Sequence, residues 1–251
     1  MLTEPTIQKL HSLRLFTMAI CYAEQHKNAQ LASLSFDERL ALLVDAEWQH
    51  RDNKRLGRLL KEAHLKLPSA SLEDIDYSAG RGLDKALMRQ LATGRYIQEH
   101  HSVVITGATG VGKTYLACAL GVQACRQGHR TLYYRASRLF EELHLAHADG
   151  SYTRVLGKLS RVPVLVIDDW GLSKLREQER NDLSEVMEDR YGTHTTILTS
   201  QVPPDAWHDY IGDPTVADAI CDRILHTAYR IVLDGPSRRK KEALSGKQAH
   251  V

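Results

Sequence analysis

No CxxC pair occurs in this chain: its 4 cysteines, Cys21, Cys118, Cys125 and Cys221, are scattered. That spacing excludes a disulfide framework and a cysteine zinc site, and it fits a reducing compartment. Also missing is any run of about 18 apolar residues, the length a membrane-crossing helix needs. No basic segment leads into an apolar stretch near the N-terminus, so a cytoplasmic protein without membrane contact is expected. Net charge is nearly absent: 33 Lys and Arg against 31 Asp and Glu give +2. The surface as a whole is therefore no polyanion sink, and electrostatic function has to lie in local clusters. Trp48, Trp170 and Trp207 form no stripe and are read as packing residues, and Cys118 and Cys125 as small core residues. There is no internal repeat.

What is present suits one sizeable α/β domain with a small appendage, since 251 residues exceed a single typical domain only modestly. The first third lacks strand signal. Ile7, Leu10, Leu13 and the stretch from Phe16 to Ile20 recur at helical spacing, ending near Asn28. Ser35 with Glu38 three residues on predicts a capping box. Leu40, Leu43, Val44, Leu56, Leu59, Leu60 and Ala63 supply an apolar stripe, with Glu47 and Arg51 paired on the polar side. Residues 1–66 thus read as a helical domain, and the breaker-rich stretch 67–79 as a linker. Within 80–236, short β-rich runs at Val103–Thr106, Thr131–Tyr134, Val164–Ile167, Thr196–Thr199 and Ile231–Leu233 alternate with helical segments. That alternation predicts a five-stranded parallel sheet covered by helices on both faces. Residues 237–251 are expected to be a basic, flexible tail.

The chemistry is concentrated after the first strand. Gly107-Ala108-Thr109-Gly110-Val111-Gly112-Lys113-Thr114 matches GxxxxGK[ST] in full, with an apolar strand before it and an Ala/Leu-rich helix after it. Glycines at those positions let backbone N–H groups curl around phosphates, Lys113 reaches phosphate oxygens, and Thr114 ligates magnesium. Tyr115 follows at the same helix start. Val164 to Ile167 leads into Asp168 and Asp169: the first carboxylate suits magnesium and the second suits a base for the attacking water. Asp169 is equally a common turn former. Thr199-Ser200-Gln201 ends another strand, and Gln201 is chosen from it as the polar group nearest the reacting water. Arg223 alone reads as a surface ion pair. His144, His147 and Asp149 lack a fourth ligand for a metal. Two basic clusters, Arg51, Lys54, Arg55, Arg58, Lys61 and Lys66, then Arg238 to Lys241, are candidates for DNA phosphate contacts or plain solvated surface.

Taken together, GATGVGKT, VLVIDDWG, ILTSQVPPDAW, DRILH from Asp222 and GPSRR from Gly235 resemble the IstB family of transposition helper ATPases, within the AAA+ superfamily and its DnaC and DnaA branch. SFDERLALLVDAEW, SLEDIDY and RGLDK extend the resemblance upstream. It implies an AAA+ fold, ATP and magnesium as cofactors, and ATP hydrolysis. It makes Gln201 the sensor 1 residue, Arg223 an arginine finger acting on the neighbouring subunit, and Arg239 a further nucleotide contact. Many relatives carry Glu in place of Asp169 and Asn in place of Gln201, which implies slow hydrolysis until partners assemble. The implied role is ATP-dependent assembly on duplex DNA, mainly nonspecific, as a homo-oligomer that recruits or stimulates its cognate transposase. A DnaC-like helicase loader is the nearest alternative. A small-molecule kinase lacks its lid here, and a nucleotide-gated interaction module without significant hydrolysis is the alternative from another class.

Overall fold

The computed structural model describes residues 3–78 and 80–238. Two compact units divide inside one helix, Met1–Arg58 and Leu59–Val251. In the first unit, α1 (Thr3–Ser12) and α2 (Phe16–Lys27) precede the long α3 (Phe36–Ala63). The apolar spacing that predicts continuous helix to Asn28 runs across a break, because Arg14 takes a left-handed φ of 59° between α1 and α2. The capping box is present: the Ser35 N–H donates to Glu38 at 2.8 Å and the Glu38 N–H to the Ser35 hydroxyl at 3.3 Å, which satisfies donors that α3 leaves open.

Three expectations for this unit are corrected. Glu47 is not on the polar side; it is buried, and accepts from the Met18 N–H at 3.0 Å and from Arg51 Nε at 2.7 Å. The first turn of α2 has N–H groups without helical partners, and the buried carboxylate meets one of them. Of Leu40, Leu43 and Val44, only Leu43 is buried. Trp48 is no packing residue but is 66% exposed, in company with Phe16, Ile20, Phe36 and Leu42.

In the second unit, strands β1 (Val103–Gly107), β2 (Thr131–Arg135), β3 (Val164–Trp170), β4 (Thr195–Ser200) and β5 (Tyr229–Leu233) form one sheet in the order β2-β3-β4-β1-β5. All pairings are parallel, as the alternating pattern predicts. The helices are α4 (Lys85–Ala92), α5 (Arg95–Gln98), α6 (Lys113–Arg126), α7 (Ala136–Asp149), α8 (Tyr152–Arg161), α9 (Glu177–Arg190), α10 (Trp207–Ile211) and α11 (Pro214–Leu225). Successive strand residues point to opposite faces. Val104, Leu132, Leu165, Ile167 and Leu198 join one core with α7 to α11. Their neighbours Val103, Ile105, Val164, Val166 and Ile197 are buried too, on the face that the alternation turns the other way. Within this unit Gly121 of α6 permits close approach, since a Cβ there would lie 2.8 Å from Leu65. Trp170 and Trp207 pack edge to face with centroids 6.0 Å apart, and Cys118 and Cys125 are buried.

The sheet places the ends of its five strands side by side. Gly107 pairs with Leu233, Thr106 with Ser200, and Arg135 with Asp168. Because β1 lies between β4 and β5 while the chain continues to β2 at the sheet edge, the crevice at the carboxyl ends opens here, where open α/β sheets bind ligands.

Below the sheet, Arg190 is 1% exposed and, among the described residues, has no carboxylate partner. Its Nε donates to Thr196 Oγ1 at 3.0 Å, Nη1 to the Leu159 and Val162 carbonyls at 2.6 and 2.8 Å, and Nη2 to the Thr195 carbonyl. Burial draws Arg190 down to about 9, which leaves it charged at neutral pH. Arg190→Ala strands those carbonyls and opens a cavity, so it lowers unfolding free energy by about 3 kcal/mol or more in urea titrations. A loss under about 1 kcal/mol would remove Arg190 as the tie between α8, α9 and β4.

Candidate nucleotide-binding site

The loop from β1 to α6 takes its shape from positions that no side chain can occupy. Gly107, Gly110 and Gly112 have φ of 145°, 86° and 105°. A Cβ on Gly107 would sit 2.2 Å from the Leu233 carbonyl oxygen, and one on Gly110 would sit 2.2 Å from Ser237 Oγ. The loop is therefore a backbone cradle, with N–H groups free of Cβ obstruction. Lys113 is buried, and its Nζ donates to the Gly107 and Ala108 carbonyls at 2.8 and 2.9 Å. Thr109 Oγ1 donates to Gln201 Oε1 at 2.7 Å, and Val111 is buried beneath. The Tyr115 hydroxyl donates to the Ser71 carbonyl and accepts from its N–H at 3.3 and 3.2 Å. A cavity of about 590 Å³ opens on the loop, lined by Arg81, Lys113, Thr114, Tyr115, Asp169 and Gln201 among others.

Asp168 is fully buried at the end of β3, and every donor it meets is a hydroxyl. Thr114 Oγ1 donates at 3.0 Å to either oxygen, Tyr133 Oη at 2.7 Å and Thr199 Oγ1 at 2.5 Å. Burial, then the bond it donates to Asp168, pushes Tyr133 well above the tyrosine range, so Tyr133 remains a donor. The β3–β4 register shifts between Ile167 and Trp170, a bulge that gives Asp169 a left-handed φ of 60°, a conformation Asp tolerates better than most residues. The Asp169 N–H then donates to Thr199 Oγ1 at 3.0 Å, and its carboxylate meets Arg135 Nη2 at 2.9 Å.

Arg223 lies away from this cavity. Its guanidinium pairs with Glu188 and donates to the Ala219 carbonyl at 3.0 Å, and it lines a small pocket with His100, Arg190 and His194. Arg239 and the rest of the basic tail after Arg238 lie outside the described residues. Arg51, Lys54, Arg55, Arg58 and Lys61 are all exposed on α3, and the first four recur at three-to-four spacing along one side of it. Arg51 also donates to the Arg14 carbonyl at 2.8 Å. His147 bonds buried Asp182 at 2.9 Å and stacks on Tyr152. Among the described residues no helix is long and apolar enough to cross a membrane.

The family model described as "IstB-like ATP binding protein" matches residues 8–246. The chain belongs to the IstB-like ATP binding protein family. It is 54% identical over 203 residues, 81% of this chain and 88% of the relative, to the protein named as the ATP-binding protein of insertion sequence IS1162 in Pseudomonas fluorescens. To the insertion sequence ATP-binding protein y4pL of Sinorhizobium fredii (strain NBRC 101917 / NGR234) it is 47% identical over 242 residues, 96% of this chain and 98% of the relative. Among solved structures, DnaI matches with a TM-score of 0.57 at 23% identity, over 70% of this chain and 93% of that one. This likeness concerns the fold, and the five-stranded parallel sheet with helices that the sequence predicts is the one observed.

In this IstB-like chain the P-loop cradle is the element suited to a triphosphate, and the all-oxygen group of Thr114 and Asp168 is suited to a hard divalent cation. Tyr133, Arg135 and Thr199 were not singled out from the sequence. Tyr133 reads there as one more strand aromatic, and Thr199 as less favoured than Gln201, which turns instead to Thr109. The alternating faces of β2 carry a signal, since Tyr133 lies next to the residue that pairs with Ile167. A double-mutant cycle of Thr199→Val with Asp168→Asn should give a coupling of about 1 kcal/mol or more in thermal unfolding. Additive losses would make the 2.5 Å contact energetically idle.

Proposed function

We propose that this IstB-like protein is an ATP-hydrolysing helper of transposition. In this reading it assembles with ATP on duplex DNA as a homo-oligomer and recruits or stimulates its cognate transposase. Residues 1–66 serve DNA or partner binding, 67–79 link, and 80–236 form the ATPase domain. The observation that carries the reading is the Thr114–Asp168 contact beside the P-loop, with Asp169 opening onto the same cavity. Family membership and relatives named for insertion sequences support the transposition context.

The residues divide the work by chemistry. Backbone N–H groups from Gly107 to Thr114 and the Lys113 ammonium bind the phosphate chain. Thr114 and Asp168 would hold magnesium, which would supply charge neutralisation on the phosphate oxygens. Asp169 accepts a proton from the water that attacks the γ-phosphorus, and ADP departs. Arg135, now paired with Asp169, has to release that carboxylate first, since an ion-paired carboxylate is a weaker base. Gln201 orients the water. Arg223, which lines a different pocket from that of its own P-loop, acts on the ATP of a neighbouring subunit after leaving Glu188. Arg51, Lys54, Arg55, Arg58 and Lys61 contact DNA phosphates, an interaction that weakens steeply with salt.

ATP turnover and particle size, measured with and without duplex DNA, test this reading. Wild type gains both turnover and assembly with DNA. Lys113→Ala loses ATP binding. Asp169→Asn keeps ATP binding while turnover falls about 100-fold or more, the scale of a lost general base. Arg223→Ala keeps monomer affinity and loses the DNA-stimulated rate. Rapid turnover by Asp169→Asn removes it as the base, and a wild type indifferent to DNA overturns the DNA-assembled helper.

A further inference from the structure

The P-loop carries two arginines that the phosphate-binding motif does not include. Arg81 Nη2 donates to the Val111 carbonyl at 2.9 Å and Nη1 to the Asp76 carbonyl at 2.6 Å. The Arg238 N–H donates to the Gly110 carbonyl at 2.9 Å, and its guanidinium pairs with the Asp76 carboxylate. A Cβ on Gly112 would lie 3.2 Å from Arg81 Nη2 and 4.0 Å from Arg238 Cδ. Both side chains therefore reach the same glycine of the cradle, and both line the cavity that Lys113 and Thr114 enter.

Their positions are built rather than incidental. The Asp234 N–H donates to the Arg81 carbonyl at 3.1 Å, and a Cβ on Gly82 would lie 2.6 Å from the Val232 carbonyl oxygen. The backbone carrying Arg81 is thus laid against the end of β5, from which the chain runs on to Arg238. Burial, then the charge of Arg238, lowers the Arg81 pKa, with Asp76 opposing. Both guanidinium groups meet Asp76 at the cavity rim, Arg238 at its carboxylate and Arg81 at its carbonyl; two cations beside one carboxylate is an arrangement that an arriving anion relieves. Asp74 also lines this cavity, and Asp169 is already matched by Arg135.

We propose that Arg81 and Arg238 form a two-arginine clamp on the phosphate chain of the nucleotide, a second set of cations beside Lys113. Guanidinium forks match phosphate oxygens in pairs, which a lysine ammonium does not. The inference rests on reading the cavity as the nucleotide site. It makes the segment before α4 and the segment after β5 part of the binding site, so phosphate binding draws both against the P-loop.

The test compares Arg81→Ala, Arg238→Ala, the double variant and Arg81→Lys in fluorescent ATP titrations, with tripolyphosphate and adenosine as competitors. Each alanine variant weakens ATP and tripolyphosphate by about 10-fold and the double variant by more, while adenosine competes as with wild type. Arg81→Lys recovers only part of the loss. ATP and tripolyphosphate affinities unchanged in the double variant overturn the clamp. Equal losses for adenosine, with a lowered melting temperature, also overturn it by assigning the arginines to folding. A wild type that binds no ATP, or a Lys113→Ala variant that binds it normally, overturns instead the nucleotide-site reading beneath the proposal.

Discussion

A carboxyl group sealed from water has to have its oxygens met by donors, and at the end of β3 that requirement organises four elements at once. Asp168 draws Thr114 from the first turn of α6, Tyr133 from β2 and Thr199 from β4. Each of those hydroxyls fixes where its own backbone runs: α6 over the sheet, β2 beside β3, and β4 close enough for Thr199 to hold the Asp169 N–H as well. The P-loop is thereby joined to the strand that carries both acids. Unmet, the group would cost several kcal/mol; met, it fixes the relative placement of the P-loop, Thr114 and Asp169, which is preorganisation of the site.

The parallel sheet and the P-loop were legible because their signals are local. Short β-branched runs, a glycine pattern with a strand before it and a helix after it, and an apolar run ending in two aspartates all fall within a few residues. What escaped depends on how distant segments meet. Glu47 reads as a helix-surface acid until α2 brings the Met18 N–H to it. Tyr133 reads as a strand aromatic until β2 lies beside β3. Arg81, far from the P-loop in sequence, reaches Val111 only once its segment rests on β5. Trp48 misled for the opposite reason: aromatic residues are usually packing residues, but in the first unit this one faces water.

Asp169 shows how a bulge separates the duties of adjacent residues. In a regular strand, neighbours point to opposite faces, and one of two consecutive aspartates would be directed away from the crevice. The register shift after Ile167 lets Asp168 turn inward to the hydroxyls while Asp169, in its left-handed conformation, lines the cavity and meets Arg135. Two identical side chains acquire different surroundings from backbone geometry alone.

Arg190 is fastened mainly to main-chain carbonyls, those of Leu159, Val162 and Thr195. A carbonyl is supplied by every amino acid, so the grip is indifferent to which side chains stand at those three positions. One guanidinium thus sets the spacing between two helices and a strand, while packing alone decides which side chains those three buried positions carry. Apart from its bond to the Thr196 hydroxyl, the anchor reads the path of the chain and not its side chains.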